Sequence, residues 1–142
     1  MPYNTFSVGS DCQIVVMGPF GRVDLSHVTG FEAQQLTMAV RVDRLDGVQL
    51  AAELPKGWAG TFMLDRGSSA VDDFIAQIEV AYIAGQTINA GTLYQYVTEP
   101  NGSTSTYQFS GAVFKLTSSG IYKGDAAVTQ RLDFYASARV KI

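Results

Sequence analysis

Val128-Thr129-Gln130-Arg131-Leu132-Asp133-Phe134-Tyr135-Ala136-Ser137-Ala138-Arg139-Val140-Lys141 carries the deciding pattern of this chain. One parity reads Val128, Leu132, Phe134, Ala136, Ala138, Val140; the other reads Thr129, Arg131, Asp133, Ser137, Arg139, Lys141. Successive side chains of a strand point to opposite faces, so a period of two predicts one buried and one wet face, sustained to the C-terminus. The loop Ser118 to Asp125 joins this stretch to a run from Ser105 to Leu116. There Tyr107 and Phe109 occupy one parity, and Phe114 and Leu116 the other. The switch falls at Gly111, which predicts a bulge or a bend, the usual meaning of a strand glycine.

Working upstream, Thr92 to Glu99 sets Tyr94 and Tyr96 against Leu93 and Val97, and Pro100-Asn101-Gly102-Ser103 turns the chain into the next strand. A helix is expected over about Ser69 to Ala84. Ser68 or Ser69 can cap it, Asp72 and Asp73 favour the positive end of its dipole, and Gly85 can terminate it. Val71, Phe74, Ile75, Ile78 and Tyr82 recur at helical spacing as its apolar stripe. Trp58 to Asp65 reads as a strand with Trp58, Phe62 and Leu64 on one face. Leu36, Met38, Val40 and Val42, set against Thr37, Arg41 and Asp43, predict another amphipathic strand. Gln13 to Met17, the turn Gly18-Pro19-Phe20-Gly21 and Arg22 to Leu25 predict a hairpin.

Two segments lack a period. Residues 1–10 read as an N-terminal arm. Residues 46–57, with Pro55 and an apolar patch at Leu50, Ala51, Ala52 and Leu54, read as a long loop. Such a loop either contacts a partner or folds back on its own core.

The 142 residues make one domain on ordinary priors, 1–142, large enough for a real core. Hydrophobic residues are 46% and charged residues 16%, which excludes a disordered chain and leaves a large neutral surface suited to protein contacts. With a net charge of −3 and basic residues scattered singly, specific nucleic-acid binding is disfavoured, because phosphate contacts need clustered Lys and Arg. Met1-Pro2-Tyr3-Asn4-Thr5-Phe6 lacks the basic and apolar regions of a signal peptide, and no apolar run is long enough to span a bilayer. No membrane association is expected.

Chemistry-bearing motifs are missing. Cys12 is the sole cysteine and His27 the sole histidine, so no intrachain disulfide is possible and the ligand spacing of a zinc site is missing. Asp43 and Asp46 before Gly47 lack the acidic residue that closes a calcium loop and read as a turn. The glycines at 18–21 and 57–60 lack the Lys-Ser/Thr of a phosphate loop. The sequence predicts no cofactor, no metal and no enzyme.

The order of elements resembles the tail tube proteins of long-tailed bacteriophages and their relatives in contractile tailocins and type VI secretion tubes. The likeness rests on Gly57-Trp58-Ala59-Gly60-Thr61-Phe62, Ile75-Ala76-Gln77-Ile78-Glu79, Tyr107-Gln108-Phe109-Ser110-Gly111-Ala112-Val113 and the close Leu132 to Arg139, and runs from about Gly9 onward. The resemblance implies a mainly β fold: an antiparallel β-sandwich or barrel of two sheets with one flanking helix. It implies a structural protein whose copies form hexameric rings, stacked into a tube that passes DNA without binding it specifically. Its partners would be itself and, in addition, sheath, baseplate or tail-terminator proteins. Its place would be the virion tail, assembled in the cytoplasm of the bacterial host. On that reading Arg41, Asp43, Thr129, Arg131, Asp133, Ser137 and Arg139 face the lumen, and Tyr3, Phe6, Val48, Leu50 and Leu54 contact neighbouring subunits. The alternative is another virion or baseplate β-module that binds a protein or receptor ligand.

Overall fold

The computed structural model describes residues 6–23, 25 and 27–142. Tyr3 and the first half of the N-terminal arm, residues 1–5, lie outside the described residues. Gly9–Asp11 forms one turn of 3-10 helix. The strands are β1 (Cys12–Gly18), β2 (Gly21–Val23), β3 (Val28–Asp43), β4 (Gln49–Asp65), β5 (Gly91–Thr98), β6 (Thr104–Ser118), β7 (Thr129–Ala136) and β8 (Ala138–Lys141). The helix α1 (Ala70–Ile83) separates β4 from β5. The fold is mainly β with one helix, as the sequence predicts.

All eight strands join one antiparallel sheet in the order β2-β1-β5-β6-β7-β4-β3, with β8 paired to β6. The two expected sheets are halves of this one, continuous through β6. Its first half pairs with β5 and β8, and its second half with β7. The bend is at Gly111, which takes φ 63. A side chain there would collide with Ser137 Oγ on the opposite strand, so the bend needs both the left-handed backbone and the missing Cβ. Ser110 pairs with Ala138 and Val113 with Tyr135, a single register on either side of the bend, while the β5 side takes a register shift.

The bend folds the sheet over a core of Val16, Phe62, Leu64, Leu93, Phe109, Leu132, Phe134 and Ala136, with Val71 and Phe74 from α1. Rings cross from one half to the other: Phe31 and Trp58 of the β3–β4 side meet Phe109 of β6 at 6.2 and 5.9 Å between centroids. The helix docks through Phe74, whose ring fills the space above Gly18 and meets Phe114 edge-on at 5.8 Å. At its end Gly85 N–H bonds Tyr82 O and Gln86 N–H bonds Ala81 O, the paired bonds of a Schellman stop.

Three expectations are corrected. Residues 49–57 are strand, not loop: they form the first part of β4 and pair with β3 from Asp43↔Gln49 to Leu36↔Gly57. The true turn is short. Arg44 and Val48 close it through a backbone hydrogen bond at 2.9 Å, and Asp46 Oδ1 accepts from Val48 N–H. The long segment lacked a visible period because Pro55 and a β-bulge opposite Leu36/Thr37 interrupt the alternation.

Burial by twos stops at Ala136, and the whole of β8 is exposed, Val140 at 52% included. The parity flips at the bend: Arg139 pairs with buried Phe109 and stacks over Trp58, so Ala138 and Val140 fall on the outer side. Tyr82 is 75% exposed, because α1 buries Val71, Phe74 and Ala81 and its last turn overhangs the sheet.

Candidate functional site

Among the described residues no group of three or more His, Cys, Asp or Glu could hold a metal, and no helix is long and apolar enough to cross a membrane. Cys12 Sγ accepts from Gln95 Nε2 at 3.5 Å, and His27 offers its carbonyl to Asp65 N–H. What the molecule does present is two extended surfaces.

The first is the polar outer face of β4, β6 and β7. Thr61 pairs with Glu32 on one side and Asp133 on the other, which puts the three on one face. Alternation from these positions brings Arg131, Thr129, Asp65, Lys115 and Thr117 to the same face. Several of its groups bond one another. Thr117 Oγ1 donates to Asp133 Oδ2 at 2.7 Å, Arg131 Nε donates to Thr61 Oγ1 at 3.1 Å, and Thr129 Oγ1 donates to Asp65 Oδ1 at 3.0 Å. Arg131 Nε also lies 3.6 Å from Asp133 Oδ1, an ion pair without hydrogen-bond geometry. The Thr117 and Thr61 hydroxyls, and then the charges of Arg131 and Lys115, hold the Asp133 carboxyl below its ordinary value against a partial desolvation. The result is a surface of mixed charge on which Arg131 faces Asp133 and Thr hydroxyls hold Asp133 and Asp65.

The second surface is the distal hairpin of β3 and β4, from Thr37 to Lys56, where every residue is exposed. Cross-strand neighbours share a face, so Met38↔Leu54, Val40↔Ala52 and Val42↔Leu50 form three apolar tiers on one side. Met38, Val42 and Leu50 are each about half exposed. Thr37, Ala39, Arg41 and Asp43 form the other side with Glu53, whose carboxylate accepts from Thr37 Oγ1 at 2.8 Å. Leu45 stands fully exposed at the tip.

The residues expected to line a lumen are therefore not on one face. Thr129, Arg131 and Asp133 lie together. Arg41 and Asp43 fall on the opposite side of the sheet, because counting by twos along β3 joins Glu32 and Gln34 to Met38, Val40 and Val42 instead. Ser137 sits at the bend, where its N–H donates to Ser110 O. Arg139 on β8 is stacked over Trp58 at 4.0 Å and over Tyr107 at 4.6 Å. Of the expected contact residues, Val48 borders the turn, Leu50 and Leu54 belong to the apolar tiers, and Phe6 is 67% exposed in the arm.

Sequence reasoning missed Met38, Val40 and Val42 as surface residues, since their alternation reads as a core-facing strand. It also missed Gln130, which is fully buried and donates through Nε2 to Asp72 Oδ1 at 3.0 Å and to Ser119 O at 3.3 Å, tying β7 to α1. The available signal was its inward parity between Val128 and Leu132.

No protein-family model and no curated protein matches the sequence. Solved structures match in fold. The sheath/tube terminator of an extracellular contractile injection system (PVC) in its extended state aligns at a TM-score of 0.59 with 12% identity. That alignment covers 92% of this chain and 93% of that one. The tube-terminating cap of the anti-feeding prophage aligns at 0.59 with 13% identity, over 100% of this chain and 91% of that one. A chain of the gene transfer agent tail, refined helically with C6 symmetry, aligns at 0.55 with 10% identity, over 96% and 99%. This chain shares its fold with these terminator, cap and tail chains.

Proposed function

We propose that this protein is the structural subunit of a phage-type tail tube, with no catalytic role. Copies associate into rings, six to a ring, and the rings stack around a channel through which DNA passes. The observation that carries this reading is end-to-end likeness in fold: the alignments with the terminator, cap and tail chains cover at least nine-tenths of this chain and of each of those. The two surfaces support it. The apolar hairpin is a surface that a solitary protein has reason to cover. The polar face of β4, β6 and β7 mixes both signs of charge and bonds its carboxylates to Thr hydroxyls, which suits a wall past which a polyanion must slide. In this assembly Thr129, Arg131 and Asp133 line the channel. Leu50, Leu54 and Val48 meet neighbouring subunits, joined by Tyr3 and Phe6 of the arm. Sheath, baseplate and terminator proteins are the expected neighbours at the outside and the ends, and the particle tail is the expected location.

A second reading, a baseplate module that binds another tail protein, has its own support in a chain of the anti-feeding prophage baseplate that aligns at a TM-score of 0.57. Negative-stain microscopy of the concentrated purified protein separates the two. Rings or tubes of constant diameter are expected from a tube subunit. A protein that remains monomeric at every concentration belongs to the baseplate reading.

A further inference from the structure

We infer that Asn101, in the turn between β5 and β6, is a self-modification site: water converts its side-chain amide to aspartate and isoaspartate, and Ser103 assists from within the turn. The site belongs to the single chain and is the same in a tube subunit and in a baseplate module. Asn101-Gly102 is the only Asn-Gly pair of the sequence. The nucleophile is the backbone nitrogen of the following residue, and a Cβ on that residue would crowd its approach. Gly102 leaves the approach open, takes φ 91, and lies with Asn101 and Ser103 in an exposed tip.

The turn arranges the reacting groups. Glu99 N–H donates to Ser103 O at 2.7 Å, and Gly102 N–H donates to Glu99 O at 2.9 Å. The Asn101 side chain folds over Gly102, so that its Oδ1 accepts from Ser103 N–H at 3.0 Å and from Ser103 Oγ at 2.7 Å. Its amide carbon is thereby kept beside the Gly102 peptide, which lowers the entropy cost of ring closure. Two donors on one carbonyl oxygen draw electrons from Cγ. They also stand where negative charge develops when that carbon is attacked.

In the reaction, Gly102 N gives its proton to hydroxide, releasing Glu99 O, and attacks Asn101 Cγ. The new C–N bond closes a succinimide ring, and the side-chain nitrogen takes a proton from water and leaves as ammonia, which restores the hydroxide. Water then opens the ring. Attack at the side-chain carbonyl leaves aspartate, and attack at the backbone carbonyl leaves isoaspartate. One water enters, one ammonia departs, and nothing is oxidised or reduced.

A second turn of the same build supplies an internal comparison. At the hairpin tip Arg44 N–H donates to Val48 O at 2.9 Å, Gly47 N–H to Arg44 O at 3.0 Å, and Val48 N–H to Asp46 Oδ1 at 3.1 Å. The backbone bonds match those of residues 99–103, and Gly47 takes φ 86. The side chain there is a carboxylate, paired with Arg44 at 2.8 Å, and valine stands where the other turn has Ser103. A carboxylate resists a nucleophile and has no ammonia to lose. Of the two turns, only the one at Asn101 unites amide, glycine and hydroxyl.

The test incubates the purified protein at neutral and at mildly alkaline pH and follows the peptides that contain Asn89 and Asn101 by tandem mass spectrometry, which tells isoaspartate from aspartate. Folded wild-type protein is expected to convert at Asn101 and not at Asn89, to both products, at a rate that rises with pH. Ser103→Ala, at an exposed position and checked for native circular dichroism, is expected to slow the conversion about twofold to tenfold, the worth of one hydrogen bond. Ser103→Thr, which keeps the hydroxyl, is expected to restore the rate. All three proteins are expected to react alike when unfolded in guanidinium chloride, because the turn is then gone. Folded protein that keeps Asn101 intact while the unfolded chain loses it overturns the inference. Equal rates for folded wild type and Ser103→Ala overturn it too, as does a difference that persists in denaturant.

Discussion

Phe134 stacks on Phe31 at 5.8 Å, meets Phe109 edge-on at 5.5 Å, and lies directly across from Gly60 of β4. A Cβ on Gly60 would fall 2.7 Å from two atoms of that ring, closer than packed carbon atoms approach. Gly60→Ala is therefore expected to destabilise the fold by about 1–3 kcal/mol, the usual cost of forcing atoms into a filled core. A lowered denaturant midpoint with an unchanged slope is the expected readout. Asp133 gives a residue-scale test on the wet face. Its folded pKa lies below the ordinary 3.8, so its hydrogen bonds contribute stability above that value and lose it as pH falls through the folded pKa. Wild-type protein is expected to exceed Asp133→Asn in stability near neutral pH, the gap closing as acid titration proceeds below 3.8. A gap that stays constant in urea titrations across this range would show that Asp133 acts through shape rather than charge.

At the scale of elements, the helix and the hairpin play opposite parts. The helix is half of what closes the core: Phe74 is 4% exposed and touches both Gly18 and Phe114, so Phe74→Ala is expected to cost about 3–5 kcal/mol in a denaturant titration. The hairpin adds no buried residue beyond Gly57. Replacing Ala39–Glu53 by Asn-Gly would join the Met38↔Leu54 pair through a two-residue turn of the type that suits twisted strands. That trimmed protein is expected to unfold at the wild-type denaturant midpoint, within error, and to have lost assembly by sedimentation. Unfolding of the trimmed chain would assign the hairpin to the folding unit instead.

At the scale of the whole molecule, a net charge of −3 and a polar face that sets Asp65, Asp133 and Glu32 among Arg131 and Lys115 leave no basic track for phosphates on that face. Many stacked copies would multiply even a weak affinity and arrest the DNA, so a conduit needs contacts near zero. No measurable affinity for double-stranded DNA is expected at physiological salt, for free or assembled protein, in fluorescence anisotropy. A salt-sensitive micromolar complex would reveal a basic surface built between subunits. The sequence by itself determined most of the strands, the helix and its stop, and the bend at Gly111, because each rests on local rules of period, capping and backbone freedom; it read the first part of β4 as loop because Pro55 and a bulge hide the period there. It also singled out Arg131, Asp133 and Thr129 as one polar row. Only the tertiary structure decided which apolar rows are covered. Met38, Val40 and Val42 alternate as regularly as Leu132, Phe134 and Ala136, yet the first row is open and the second buried. Period says that a strand has an apolar face; whether that face turns inward depends on residues far away in the chain, and here the Met38 row shares the outer side with Glu32 and Gln34, away from the core that the bend at Gly111 closes.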